Sequence, residues 1–132
     1  MFRLKRSKAD KLFSDLVRLK AGYNCERCYV HHDPPTSALH CSHYWGRQNK
    51  SVRFNEDNAS SLCYGCHRYL GSNPQEHREF MLKKLGHQKL EQLDKIARIP
   101  TKVDEELIFL GLEQELKKLK EDLKKNVIGS NG

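Results

Sequence analysis

The sequence contains no long apolar run, and this absence excludes a membrane-spanning helix. A helix that crosses a bilayer needs about 20 consecutive apolar residues, and no stretch of the 132-residue chain approaches that length. The N-terminal stretch also lacks the apolar segment that export requires, so we expect a cytoplasmic protein with no membrane partner. Apolar residues make up only 37% of the chain, which predicts a small core that needs additional stabilisation.

Acidic residues are in the minority. The 24 lysine and arginine residues outnumber 17 aspartate and glutamate residues, for a formal net charge of +7. This excess favours a polyanion such as nucleic acid as partner, although charge alone fits an anionic membrane surface or simple solubility almost as well. A predicted helix near the N-terminus, with Ser7 and Asp10 as its capping box, carries many of these residues, either as a phosphate-contacting face or as a solvated one. The basic residues of this face and of the arm before it are Arg3, Lys5, Arg6, Lys8, Lys11, Arg18 and Lys20.

Composition divides the chain into three segments. We expect a basic N-terminal helix at 1–22, a site-bearing core at 23–73 and a helical C-terminal extension at 74–132. Within the core, short apolar runs predict strands at 37–44 and 59–62, joined by a polar loop that is too long for a tight hairpin turn. A short helix is expected from Cys63 to about Gly71.

The C-terminal extension has helical periodicity. Asn73 and Pro74 form a typical helix start, and helices are expected at 75–85, 88–99 and 103–126. The last of them has leucines spaced by four, three and four residues, which form a stripe that either packs on the rest of the chain or pairs with a second copy to give a homodimer. The leucines of this stripe are Leu112, Leu116, Leu119 and Leu123.

Four of the five cysteines form two C-x-x-C pairs. In a reducing compartment this arrangement suits a metal better than disulfides, and four thiolates complete a tetrahedral zinc site with no open position. We therefore expect a structural Zn²⁺ whose two ligand pairs enclose residues 29–62. The alternative is a set of buried cysteines that bind no metal. The ligands are Cys25, Cys28, Cys63 and Cys66, while Cys41 is expected to be a free thiol.

The second pair also begins a C-x-x-C-H motif, which is the pattern of c-type haem attachment. Haem of this type normally accompanies export, and the first cysteine pair would then have no role. The polar stretch at 40–60 would also make a poor haem pocket. These three features favour zinc.

Between and just after the cysteine pairs lie His43, Asn58 and His67, in the strings LHCSHYWGR, RFNEDNASSLC and CYGCH. In this order the sequence resembles the HNH, or ββα-metal, nucleases over about residues 23–73. A longer set of strings, KADKLFSDLVRLKAG, CERC, SHYWGR, VRFNEDN and CYGCH, resembles the phage NinG/Rap recombination nucleases. This resemblance implies a phage or prophage origin and nicked or branched DNA as substrate.

The resemblance assigns a role to each of these residues. His43 would be the general base, which suits a side chain that titrates near neutrality. His67 takes the position of a ligand to a catalytic divalent ion, Mg²⁺, Mn²⁺ or another, and Asn58 that of the residue that braces the loop. Arg47, which NinG/Rap proteins also have, could hold a phosphate through two hydrogen bonds. Without the resemblance, His43 would more simply be a hydrogen-bonded structural histidine or a fourth zinc ligand, and Asn58 a turn cap.

One position departs from the family pattern. Many HNH nucleases have an aspartate ligand immediately before the base, and here that residue is Ser42. Because side chains alternate along a strand, His40 shares the face of Ser42 and could approach the ion in its place, with water as the alternative. Two imidazole ligands would favour Mn²⁺, Co²⁺ or Ni²⁺ over Mg²⁺.

Other candidate residues have plainer interpretations. The run His31, His32 and Asp33 is expected to be a solvated loop, and His77 and His87 are expected at the surface. Tyr44 and Trp45 either belong to the core or stack on DNA, and we expect the core.

The sequence thus predicts an α+β protein. Its centre is a small zinc-stapled ββα-metal (HNH, treble-clef-like) core with flanking N- and C-terminal helices. The function implied by the resemblance is metal-dependent endonucleolytic cleavage of DNA. The alternatives are a non-catalytic zinc-containing module that binds nucleic acid, and a structural adaptor that uses the leucine stripe.

Overall fold

The structure is a computed structural model that describes residues 5–130, with side chains to residue 125, so Arg3 lies outside the described residues. Helix α1 spans Lys8–Lys20. The capping box is confirmed, because the Ser7 hydroxyl accepts a hydrogen bond from the Asp10 backbone N–H and the Asp10 carboxylate accepts one from the Ser7 N–H. The helix ends at Ala21, as the sequence predicts, and Gly22 follows with a φ of 65°.

Two antiparallel strands form a small sheet at the centre. Strand β1 spans Leu39–His43 and strand β2 spans Ala59–Cys63, with Leu39 paired to Cys63 and His43 to Ala59. Both strands lie within or within one residue of their predicted ranges. The loop between them ends in a short 3₁₀ helix, Glu56–Asn58. The register places His43 at the end of β1 where this loop begins.

Three helices follow the sheet. Helix α2 spans Tyr64–Ser72, α3 spans Pro74–Leu85 and α4 spans His87–Ala97. Pro74 is the first residue of α3, as expected, but the Asn73 side chain does not cap it and instead donates to the Tyr69 carbonyl oxygen at 2.7 Å. Helix α2 begins directly after β2, so Cys63 is both the last strand residue and the cap of the helix.

Helix α5 spans Glu105–Ser130 and packs along α1. Leu112 and Leu116 are buried in one core with Phe13 of α1, and Leu119 is partly buried against it, whereas Leu123 is exposed. The leucine stripe therefore packs within the chain over most of its length. The homodimer stays a prediction, and only Leu123 of the stripe is available at the surface.

The apolar core consists of three small clusters. The first joins α1, α5 and the start of β2, the second surrounds the cysteines between the strands and α2, and the third joins the loop after β1 to α3 and α4. The α+β class is confirmed, and the three-segment division of the chain stays a prediction. No helix in the described part of the chain combines the length and apolar character needed to cross a bilayer.

Candidate metal centre and histidine groove

The two C-x-x-C pairs meet between β2 and the chain that follows α1. The Sγ atoms of the four cysteines all lie within 4.8 Å of one another, and those of Cys28 and Cys63 are 3.7 Å apart. In a tetrahedral site with Zn–S bonds of about 2.3 Å, the sulfurs are about 3.8 Å apart. The sulfur positions therefore fit a single zinc ion.

The surroundings of the sulfurs favour thiolates. Each C-x-x-C pair has a backbone N–H aimed at its own first cysteine, from Cys28 to the Cys25 sulfur and from Cys66 to the Cys63 sulfur, both at 3.5 Å. Arg27 donates to the Cys66 sulfur at 3.4 Å. Four thiolates exceed the charge of one zinc ion by two, so a nearby guanidinium is favourable. The residues present thus fit a closed structural zinc site.

Cys41 has no part in this site, as expected. It lies on β1, partly buried against the core shared by α1 and α5. Burial raises the pKa of its thiol to about 12, so it is protonated at neutral pH. Among the described side chains, the four-cysteine group is the only set of three or more histidine, cysteine or acidic residues whose ligand atoms meet closely enough for one ion.

His43 has one ring nitrogen fixed by the backbone. Its Nε2 lies 2.9 Å from the carbonyl oxygen of Arg53, which can only accept, so Nε2 carries the proton and Nδ1 is the unprotonated nitrogen. The ring also packs against Phe13, with centroids 5.7 Å apart. Burial lowers the pKa of His43, as do the Arg47 and Arg53 charges, while the Arg53 carbonyl and Asp10 act in the opposite direction. His43 is therefore neutral at pH 7.

Arg53 connects this histidine to α1. Its guanidinium is buried against Asp10, with Nε donating to the carboxylate at 3.0 Å. Burial by itself would raise the pKa of Asp10, but hydrogen bonds from Arg53 and Ser7 outweigh it and hold that pKa below its usual range. Sequence reasoning identified Asp10 only as a helix cap and gave Arg53 no role. The available signal was an arginine inside the string VRFNEDN.

Asn58 is completely buried at the end of the loop between the strands. Its Oδ1 accepts a hydrogen bond from the Trp45 N–H at 2.8 Å, and its Nδ2 donates to the carbonyl oxygens of Trp45 at 2.9 Å and Val52 at 3.2 Å. Its own carbonyl accepts from the Tyr44 N–H at 2.9 Å. The Asn58 side chain thus ties Trp45 and Val52, and its backbone ties Tyr44, in the loop that follows His43.

His40 and His67 are in direct contact across β1 and α2. Their Nδ1 atoms lie 3.0 Å apart, and both rings are partly exposed. Two nitrogens bound to one ion at about 2.1 Å and at right angles would be about 3.0 Å apart. The same distance also fits a hydrogen bond between two neutral imidazoles. The distance therefore fits either a shared ion or a direct hydrogen bond between the two rings.

Four of the predicted site residues share one groove of about 680 Å³ between α1, β1 and α2, and the buried Asn58 is not among them. His40, His43, His67 and Arg47 all line it. Arg47 approaches Asp10 at 3.5 Å. Ser42 is buried, with 3% of its surface exposed, so the position of the missing aspartate ligand faces away from bulk water.

The remaining candidates have structural surroundings. His31 bonds Asn24 at 2.9 Å and Asp33 at 2.7 Å in an exposed turn, as expected of a solvated loop. Trp45 packs in the third cluster and donates its indole N–H to Asp94 at 3.1 Å, which confirms a core role. His77 is not the surface residue that we expected, because its ring packs edge-on against Tyr44 and is half-buried.

These features define an α+β protein with a two-stranded sheet, a four-cysteine cluster that could hold zinc and a histidine-lined groove. A family model described as the bacteriophage lambda NinG protein matches residues 4–126. The chain belongs to the NinG family, which indicates a phage origin. No match was found among curated proteins, and none among solved structures.

Proposed function

We propose that the protein is a metal-dependent endonuclease of the HNH type that hydrolyses phosphodiester bonds in DNA. The observation that carries this proposal is the orientation of His43, whose Nε2 proton is held by the Arg53 carbonyl while Nδ1 remains available in a groove that also contains His67 and Arg47. A neutral imidazole with one fixed nitrogen is the arrangement that a general base requires.

Hydrolysis needs a nucleophile and charge stabilisation. His43 Nδ1 takes a proton from a water molecule, whose oxygen attacks phosphorus as the bond to the leaving sugar oxygen breaks. Arg47, four residues further along, holds a non-bridging oxygen of the phosphate. A divalent ion, when bound, would stabilise the charge that develops on the phosphate and the leaving oxygen.

The Nδ1 atoms of His67 and His40 would hold this ion. Both are neutral when they act as ligands, and burial together with the neighbouring His40 lowers the pKa of His67. Two histidines make a sparse protein ligand set, so an ion held there would take its other ligands from water and the phosphate. This composition favours Mn²⁺, Co²⁺ or Ni²⁺ over Mg²⁺.

Asn58 acts at a distance from the reaction. By tying Trp45 and Val52 to the start of β2, it keeps the loop in place, and this loop carries Arg47 and the Arg53 carbonyl that orients His43. The family match, together with the resemblance to recombination nucleases, supports a role in phage DNA recombination with nicked or branched DNA as substrate.

A zinc-containing module that binds nucleic acid without cutting it is the second candidate. The buried Ser42 favours it, since no carboxylate occupies the position of the usual second ligand. A structural adaptor is a weaker alternative, because most of the leucine stripe is used inside the chain.

Incubation of supercoiled plasmid with the protein and Mg²⁺, Mn²⁺ or no divalent ion separates these functions. Nicked or linear product that depends on the metal supports the nuclease. Retarded but intact plasmid under all conditions would instead support the binding module. If the plasmid is neither cut nor retarded, the result supports the structural adaptor.

A further inference from the structure

Two arginines near the N-terminus converge on one buried hydroxyl. Arg6 lies just before α1, and its side chain runs along the helix to donate to Ser14 Oγ at 2.6 Å. Arg18, one turn beyond Ser14, approaches the same oxygen at 3.4 Å. Ser14 is 5% exposed, and its own hydroxyl proton goes to the Lys11 carbonyl at 2.9 Å. The serine thus fixes two guanidinium groups side by side.

This pair of charges is only partly compensated. Arg18 forms an ion pair with Asp15 at 2.7 Å, whereas Arg6 has no carboxylate partner among the described residues. Two like charges that share one hydroxyl repel each other unless an anion lies between or beside them. A phosphate suits this position, because a guanidinium can donate two parallel hydrogen bonds to it.

The other basic residues of α1 behave differently. Lys20 is bound to Glu56 at 2.8 Å and to Glu115 at 2.9 Å, so its charge is neutralised within the fold. Lys8 and Lys11 are exposed and do not line the groove. Only part of the basic face is therefore turned toward the groove.

The arginine pair lies in the same groove as the histidines. Arg6, Ser14 and Arg18 line this groove together with His40, His43 and His67. Both guanidinium charges also lower the pKa of the Cys41 thiol in the middle of β1, against the larger effect of burial. The two arginines therefore lie close to that strand. A polyanion that enters the groove would meet both sets of side chains.

We propose that Arg6 and Arg18 form a phosphate-binding subsite that holds the DNA backbone at a phosphate neighbouring the one that is cleaved. This inference rests on the proposed function, because it takes the substrate strand in the groove as its ligand. The two arginines position the strand and do not take part in the chemical step. The arginines stabilise the protein–DNA complex before the phosphodiester bond breaks.

The test is a salt titration of DNA binding by the full chain, with zinc present and no other divalent ion. A fluorescently labelled duplex of 25 base pairs is followed by anisotropy for the parent, Arg6→Gln/Arg18→Gln and the control Lys8→Gln/Lys11→Gln. Both double variants remove two positive charges from the same helix region. We expect the arginine variant to bind at least about tenfold more weakly, and the slope of log affinity against log salt to fall by about 1.8. The lysine control should change affinity less than about threefold.

Equal losses in the two double variants would overturn the subsite, since net charge alone would then explain binding. Parental affinity in the arginine variant, or no binding by the parent, would overturn it as well. Circular dichroism checks the fold, and Arg6→Gln alone repeats the test if the change at Arg18 unfolds α1. Plasmid cleavage is scored separately: a parent that never cuts but loses binding selectively in the arginine variant supports the subsite and contradicts the nuclease.

Discussion

The Nε2 atom of His43 donates its proton to the carbonyl oxygen of Arg53 across 2.9 Å. This hydrogen bond determines which nitrogen of the imidazole is available, and the guanidinium of the same arginine is held by Asp10 in α1. The orientation of the proposed base therefore depends on contacts between β1, the loop and the N-terminal helix. Each of these contacts can be tested separately.

Zinc binding should require the cysteine cluster and not Cys41. We expect one zinc per chain in the parent by elemental analysis, and Cys63→Ser should lose it and unfold or lose several kcal/mol of stability. Cys41→Ala serves as the control and should retain the zinc, with a small decrease in melting temperature from the lost packing. A parent without zinc, or a Cys63→Ser variant that melts like the parent, would contradict the site.

Asp10 should stabilise the fold through its pairing with Arg53. Asp10→Asn leaves a buried guanidinium without its partner, so we expect a loss of roughly 3–5 kcal/mol in the free energy of unfolding, measured by urea denaturation. Asp15→Asn, in the partly exposed pair with Arg18, should cost less than about 1 kcal/mol. Similar losses in the two variants would contradict the structural role of the Asp10 pair.

The same carboxylate predicts a dependence on pH. Because the pKa of Asp10 is lowered in the folded protein, its contribution is complete above the unfolded pKa of about 3.9. It is lost as the pH falls below that value and the folded protein also binds the proton. Stability of the parent should therefore fall more steeply than that of Asp10→Asn as the pH falls below about 4.

The cleavage rate should depend on pH through the protonation of His43. Burial lowers the pKa of His43, and the groups facing it are Asp10 from α1 together with Arg47 and Arg53 from the loop. As the pH falls through that pKa, the imidazole gains a proton and can no longer act as a base. The single-turnover rate should rise with pH and level off with an apparent pKa below about 6.5, while DNA affinity stays constant. An apparent pKa above about 6.5, or the same pH profile in His43→Ala, would exclude His43 as the titrating base.

The contact between His40 and His67 predicts a metal preference. If both bind the catalytic ion, the parent should bind Mn²⁺ more tightly than Mg²⁺ by calorimetry and cut DNA faster with it. His40→Ala should weaken Mn²⁺ binding, and His40→Asp, which supplies a hard oxygen ligand, should shift the preference toward Mg²⁺. If the parent is equally active with both ions and the His40→Ala substitution has no effect, the contact is only a hydrogen bond.

Much of this arrangement could be predicted from local patterns. The C-x-x-C spacing, the Ser7 and Asp10 capping box and the alternation of side chains along β1 each depend on a few neighbouring residues. The same alternation placed His40 on the face of Ser42 and away from His43, whereas in the structure His40 contacts His67 in a groove that His43 also lines. Local rules were sufficient for the caps and the cysteine spacing, but strand alternation alone did not predict which side chains of β1 line one groove.

Contacts between distant segments could not be predicted in this way. The pairing of Arg53 with Asp10 joins residues 43 positions apart, and nothing in either local pattern identifies the partner. The leucine stripe of α5 specified an apolar face but not what covers it. In the structure, Phe13 and its apolar neighbours on α1 cover it. His77 was misjudged for the same reason, since Tyr44 covers it from a different element.

The most direct test of the account is the cleavage rate of His43→Ala on supercoiled plasmid with Mn²⁺, measured beside its DNA affinity and zinc content. The account predicts a loss of about 10²–10⁴-fold in rate, with affinity and zinc unchanged, because a general base acts only in the transition state. His87→Ala, at an exposed position away from the groove, is the matched control and should cut like the parent. A His43→Ala variant that keeps more than about a tenth of the parental rate would contradict the central claim.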